Sequence, residues 1–201
     1  MSLGPLGTNC YIVSKEGDAL IVDPGGEANI IIDFLKQESL SAQAILLTHA
    51  HFDHIGGLEA LRAGLSLDVY LHENEADWLG NPNLNGSSSF GNEIVTKRAE
   101  HVLKNGTLQI GPFEFKVLHT PGHSPGSVSF IFEEAFVISG DVLFQQGIGR
   151  TDLPGGDRRQ LEASIRNHLY QLDDSFIVYP GHGPETTIKA EKRNNPFVPA
   201  L

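Results

Sequence analysis

Residues 48–57, THAHFDHIGG, constrain this chain more than any other stretch. The apolar run before them, Ala44-Ile45-Leu46-Leu47, reads as a short buried strand. Gly56-Gly57 followed by Leu58, Leu61 and Leu65 reads as a tight turn entering a helix. The motif therefore belongs on a strand-to-helix loop. Side chains two apart at a strand end leave the backbone on one side, so His49 and His51 are expected to converge on one point. Asp53 and His54 lie past the bend and reach a second point close by. Neutral imidazole and carboxylate suit zinc, manganese or iron, and no packing need of a core calls for four such groups together.

A chain of 201 residues with 40% hydrophobic composition, 22 Gly and 11 Pro can bury a sizeable core in one loop-rich domain. No stretch approaches the ~18 apolar residues of a membrane span, and MSLGPLGTNC lacks the basic and apolar regions of a signal peptide. The expectation is a cytoplasmic protein with no membrane partner. Cys10 is the single cysteine, which excludes an internal disulfide and argues against a thiolate metal site. It reads as a small buried residue ahead of a strand at Tyr11-Ile12-Val13. Fourteen Lys+Arg against 25 Asp+Glu give a formal charge of −11, which repels a phosphate backbone and excludes nucleic acid as the expected partner.

Two comparable halves follow one another. The first runs NCYIVSKEGDALIVDPGG, two strands about a Glu16-Gly17-Asp18 turn, then a helix near residues 27–38 with Ile30, Ile31, Phe34 and Leu35 on its apolar side, then the histidine loop. The second runs TLQIGPFEFKVLHTPGHSPGSVSFIFEEAFVISGD, strands about short turns, then DRRQLEASIRNHLYQL, where Leu161, Ile165, Leu169 and Leu172 recur at helical spacing. This pattern predicts an α/β protein with two mainly β layers face to face, helices outside, and the ligand loops at one edge. Residues 80–93, GNPNLNGSSSFGNE, read as a surface loop, either simply solvated or holding Phe90 over a pocket.

Three later segments can complete a metal site. His123 stands between turns in HTPGHSPGS, Asp141 ends a β-branched strand in VISGDVLF, and His182 lies between two glycines in IVYPGHGPET. In each a strand delivers the residue and glycine lets the backbone pack close.

THAHFDHIGG, TPGHSPGS, SGDVLF and PGHGPET, in this order, resemble the motif signature of the metallo-β-lactamase superfamily, with VDPGG at 22–26 as its first motif. GRTDLPGGD at 149–157 and NPF at 195–197 resemble more narrowly its glyoxalase II-type thioesterase branch. The resemblance implies an αββα sandwich and two divalent metal ions, zinc being expected and iron or manganese compatible with the donors. It places His49, His51 and His123 on one metal, Asp53, His54 and His182 on the other, and Asp141 between them. Such a pair acidifies a water to hydroxide near neutral pH, and Asp53 is the residue expected to steer it toward a carbonyl. Asp23 resembles the family's carboxylate that orients a ligand loop, and reads equally as an Asx-turn residue before Pro24-Gly25. His72, His101, His119 and His168 belong to no motif and are expected at the surface or core edge.

The leading expectation is hydrolysis of a small thioester such as S-lactoylglutathione. Longer glyoxalase II enzymes hold glutathione with basic residues in a helical C-terminal region, which the sequence lacks after Phe197. Arg150 is the expected substitute, since a guanidinium pairs bidentately with a carboxylate; a surface ion pair is the plainer reading. GRTD also resembles persulfide dioxygenases, which use one iron, and a lactonase or β-lactamase would direct the same site at another carbonyl. A closed structural metal module is the non-catalytic alternative.

Overall fold

The computed structural model describes residues 1–133 and 135–199, and these form two compact units. The first comprises Met1–Leu103 and Gln109–Glu114, the second Lys104–Leu108 and Phe115–Leu201.

The first unit is built on a five-stranded sheet in chain order: β1 (Tyr11–Lys15), β2 (Asp18–Val22), β3 (Ser41–Leu46), β4 (Val69–His72) and β5 (His101–Leu103). β1 and β2 form an antiparallel hairpin whose turn residues Glu16 and Gly17 both have positive φ, the geometry that follows the twist of the strands. From β2 onward the sheet is parallel. Leu20, Ile21 and Val22 are fully buried, as an inner parallel strand requires. Helix α1 (Ala28–Gln37) buries Ala28, Ile31 and Leu35, spaced for one helical stripe. Ile30, expected on that stripe, is instead 47% exposed, because the 100° step from Ile31 carries it off the face. After β3 come a single turn, α2 (Phe52–Ile55), and then α3 (Leu58–Leu65).

β6 (Gly106–Ile110), β7 (Phe113–His119), β8 (Val128–Phe132), β9 (Phe136–Gly140), β10 (Ile177–Pro180) and β11 (Thr186–Thr187) make a six-stranded sheet in the order β11-β10-β9-β8-β7-β6, all but residues 109–114 of it counted in the second unit. β7 alternates buried Phe113, Phe115 and Val117 with exposed Glu114 and Lys116, the signature of one dry and one wet face. Helix α4 (Arg158–Asn167) is capped by the Asp157 carboxylate, which accepts from the Gln160 N–H at 3.0 Å. The helical spacing reaches Leu172, yet α4 stops at His168 and a 3₁₀ turn, Leu169–Gln171, continues. The tighter turn still buries Leu169 and Tyr170, so the hydrophobic spacing survives the change of helix type. Helix α5 (Ile188–Asn194) follows β11.

NPF proves to be a clasp. Asn195 is buried; its amide donates to the Gly147 carbonyl at 3.1 Å and to the Glu191 carboxylate at 2.9 Å, while its carbonyl accepts from the N–H groups of Phe197 and Val198.

Candidate metal centre

Each unit uses the same local device: two parallel strands end side by side, and a polar side chain follows each within three residues. In the first unit β2 delivers Asp23 and β3 delivers Thr48 and His49, with the Asp23 N–H donating to the Leu46 carbonyl at 3.1 Å. In the second, β9 delivers Asp141 and β10 delivers His182, with the Gly181 N–H donating to Gly140 at 2.8 Å.

The glycines of VDPGG and HIGG interlock backbone against backbone. A Cβ on Gly25 would sit 2.2 Å from the Asp53 carbonyl oxygen, and one on Gly56 would sit 2.4 Å from that of Gly25. The Gly57 N–H donates to the Pro24 carbonyl at 2.8 Å. Both glycine pairs are thus demanded by the close approach that seats α2 and its two polar residues.

Asp23 organises the histidine loop. Its buried carboxylate accepts from the Thr48 N–H at 2.7 Å, from the Thr48 hydroxyl at 2.6 Å and from His54 Nδ1 at 3.0 Å. The Thr48 proton is spent on Asp23, so Thr48 Oγ1 is left to accept from His49 Nδ1 at 3.0 Å. One carboxylate therefore sets the tautomer of two imidazoles, directing the Nε2 lone pairs of His49 and His54 away from it. Of the two readings of Asp23, the geometry supports the orienting carboxylate.

The first unit brings four expected residues together. His49 pairs with His51, His49 with His54, and Asp53 with His54, each pair offering ligand atoms within 4.8 Å. Asp53 Oδ2 accepts from the Thr8 hydroxyl at 2.8 Å. Glu75 escaped the sequence reading: wholly buried, it accepts at 2.6 Å from the N–H of Ala50, the residue between His49 and His51. In sequence it belongs to HENE, which resembles a solvated charge run and carries no local sign of burial.

The second unit brings together the other three. His123 Nε2 and His182 Nε2 each lie 3.6 Å from Asp141 Oδ2. His123 Nδ1 donates to the Arg150 carbonyl at 2.8 Å, which again leaves Nε2 as the lone pair. Gly149 makes that contact feasible, since a Cβ there would stand 1.9 Å from the Asp141 carbonyl oxygen and 3.0 Å from His123 Nδ1.

The Arg150 side chain points elsewhere. Its exposed guanidinium grips Asp152 bidentately at 2.7 and 2.6 Å. The hydrogen bond from Arg150 holds the Asp152 carboxyl down at about 2. The four remaining histidines have other work. His72 caps a 3₁₀ turn through Asn74, His101 pairs with Asp68 and stacks on Tyr70, His119 donates to the Pro125 carbonyl, and His168 ends α4. Burial pushes the Cys10 thiol up to about 12, which keeps it an inert packing residue.

Residues 3–182 match the Metallo-beta-lactamase superfamily. Over its whole length the chain is similar to a probable metallo-hydrolase of Bacillus subtilis, YqgX, at 49% identity, covering 98% of this chain and 95% of the relative. It is 38% identical to the hydroxyacylglutathione hydrolase GloC of Haemophilus influenzae, covering 94% and 92%. Among solved structures it is similar to the BLEG-1 B3 metallo-beta-lactamase at 54% identity, TM-score 0.95, covering 98% and 97%. TTHA1623 in a di-iron-bound form follows at 41% identity, TM-score 0.89, covering 98% of each chain. ETHE1 from Myxococcus xanthus gives 30% identity, TM-score 0.81, covering 96% and 80%. By its motifs, by this match and by its fold, the chain belongs to the metallo-β-lactamase superfamily.

Proposed function

We propose that the protein hydrolyses small thioesters of the S-acylglutathione type, S-lactoylglutathione being the first to try. His49, His51 and His123 would hold one divalent metal ion, Asp53, His54 and His182 a second, with Asp141 serving both. Zinc is the expected metal, and the same N/O donors accept iron or manganese.

One observation carries the reading. The Nδ1 atoms of His54 and His123 face oxygens that only accept, so both neutral rings turn lone pairs outward. Those lone pairs meet carboxylate oxygens at 3.5 Å (His54 to Asp53) and 3.6 Å (His123 to Asp141). Acceptor facing acceptor at low exposure is unfavourable until a cation enters between them. Metal ions held by these residues would supply Lewis acidity, lowering the pKa of a water and offsetting charge on the acyl oxygen. The Thr8 hydroxyl donates to Asp53, whose carboxylate would accept a hydrogen bond from the attacking water and aim it. Arg150 would hold a carboxylate of the thiol carrier by exchanging Asp152 for it, an exchange that costs little because exposed ion pairs are weak.

The name of GloC supports the thioester reading. ETHE1 supports persulfide dioxygenation as the second reading, BLEG-1 supports β-lactam hydrolysis as a third, and the di-iron form of TTHA1623 supports iron as the alternative metal. Metal analysis of protein purified without chelators tests all three when joined to a panel of thioesters, a β-lactam, and oxygen uptake with glutathione persulfide. About two metals per chain with thioester turnover is the expected result. Oxygen uptake with one iron and no thioester cleavage would overturn it.

A further inference from the structure

A cavity of about 350 Å³ opens within the first unit, lined by Pro5, Phe52, Phe90 and Ile94 together with Glu27 and Asn92. Gly4, Gly25, Gly26 and Gly56 add only backbone to the lining. Phe52 immediately precedes Asp53 in α2, so one wall of the cavity is the turn that carries two of the proposed ligands. The Phe52 and Phe90 rings pack at 4.4 Å between centroids, yet Phe90 stays 60% exposed. Leu6 and Val95, the chain neighbours of Pro5 and Ile94, are also large apolar residues left in solvent. Phe90 ends a short 3₁₀ turn, Ser87–Phe90, bounded by Gly86 and Gly91, both at positive φ.

Exposing large apolar side chains around a cavity is costly unless something apolar covers them. The charge of the lining selects the occupant. Glu27 is the only charged residue among those that line the cavity, and no lysine or arginine joins it. A carrier with carboxylates, such as glutathione, is repelled there, whereas a hydrocarbon chain meets rings, aliphatic side chains and glycine backbone, with Glu27 and Asn92 the two polar side chains in the lining. We infer that this cavity receives the apolar acyl chain of the substrate, and that Phe90 sets the preferred chain length. The inference rests on the thioesterase reading for the word substrate, but the cavity's affinity for a chain does not.

The test uses thioesters of N-acetylcysteamine with acyl chains of two, four, six and eight carbons, so that no charged carrier intervenes. The matching S-alkyl thioethers, which cannot be hydrolysed, report binding by calorimetry. Each methylene that enters the cavity should improve kcat/KM and thioether affinity by about fourfold until the space is full. Phe90→Ala should flatten both slopes. Ile94→Asp, which puts a charge on the wall, should flatten them further. Thioether affinity independent of chain length, or a slope untouched by both variants, would overturn the inference. Chain-dependent binding that Phe90→Ala removes, in a protein that cleaves none of the thioesters, would retain the cavity as a chain-binding site and defeat the thioesterase reading alone.

Discussion

Asp23→Asn isolates the charge of the carboxylate that organises the histidine loop. Asp23 has φ 51°, a left-handed conformation that asparagine tolerates as readily as aspartate, so the substitution adds no backbone strain. An amide has one acceptor where the carboxylate has two. If its oxygen keeps the place that serves Thr48 Oγ1 and His54, its NH₂ confronts the buried Thr48 N–H across the 2.7 Å now spanned by a hydrogen bond. A buried donor left without its acceptor costs about 1–3 kcal/mol, which for a chain of this size lowers the melting temperature of metal-free protein by about 2–12 °C. If the amide turns over, its NH₂ faces His54 Nδ1 and forces the proton onto Nε2, and the Thr48 hydroxyl turns to donate to His49. Both rings then lose the lone pairs that the metals need. Either way metal affinity should fall about 10–100-fold, the usual cost of losing an orienting carboxylate. Competitive chelator titration followed by thermal melting of the stripped protein measures both quantities. An Asp23→Asn protein with unchanged metal affinity and melting temperature would reduce Asp23 to a turn residue.

Glu75→Ala should loosen the His49-Ala50-His51 backbone and weaken metal binding about tenfold, with partial rescue by Glu75→Gln, whose amide oxygen can still accept from Ala50; equal losses in both variants would contradict this. Gly149→Ala should yield folded protein depleted in metal, because the new methyl drives against the Asp141 carbonyl and His123, and full metal content would refute it. Asp141→Ala should lower affinity at both metal positions together, and Asp53→Ala should cut turnover about 10²-fold or more; elemental analysis beside kinetics checks each. Arg150→Ala should raise the Michaelis constant for a glutathione thioester while sparing turnover, metal content and an uncharged thioester; equal losses on both substrates would assign Arg150 to its loop alone.

The sequence made four of the proposed ligands legible because each follows a strand and is marked by punctuation: His49 after an apolar run, Asp141 after a β-branched one, His123 and His182 among glycines. Period and punctuation are local signals, and they placed β1, β2, β3, α1 and α3 within a few residues. What escaped depends on contacts distant in the chain. Glu75 reaches Ala50 across 25 positions and Thr8 reaches Asp53 across 45, and neither has a neighbour in sequence that hints at its partner. Arg150 presents the opposite case. The motif drew attention to its guanidinium, while its most specific contact is made by the backbone carbonyl, which every residue carries. Side-chain identity alone could not have disclosed that role. The glycines fall between these cases: VDPGG and HIGG are visible as breakers in sequence, but their mutual approach, Gly25 onto Asp53 and Gly56 onto Gly25, explains why neither pair tolerates a methyl. The same approach fixes the α2 turn, whose Phe52 face borders the apolar cavity while Asp53 turns its carboxylate to Thr8. A shift of this turn would therefore disturb chain recognition and metal binding at once. Gly56→Ala is expected to impair thioether binding and metal content together, whereas Phe90→Ala affects the first and spares the second; metal loss without any change in thioether affinity in the glycine variant would show that the two are not joined through α2.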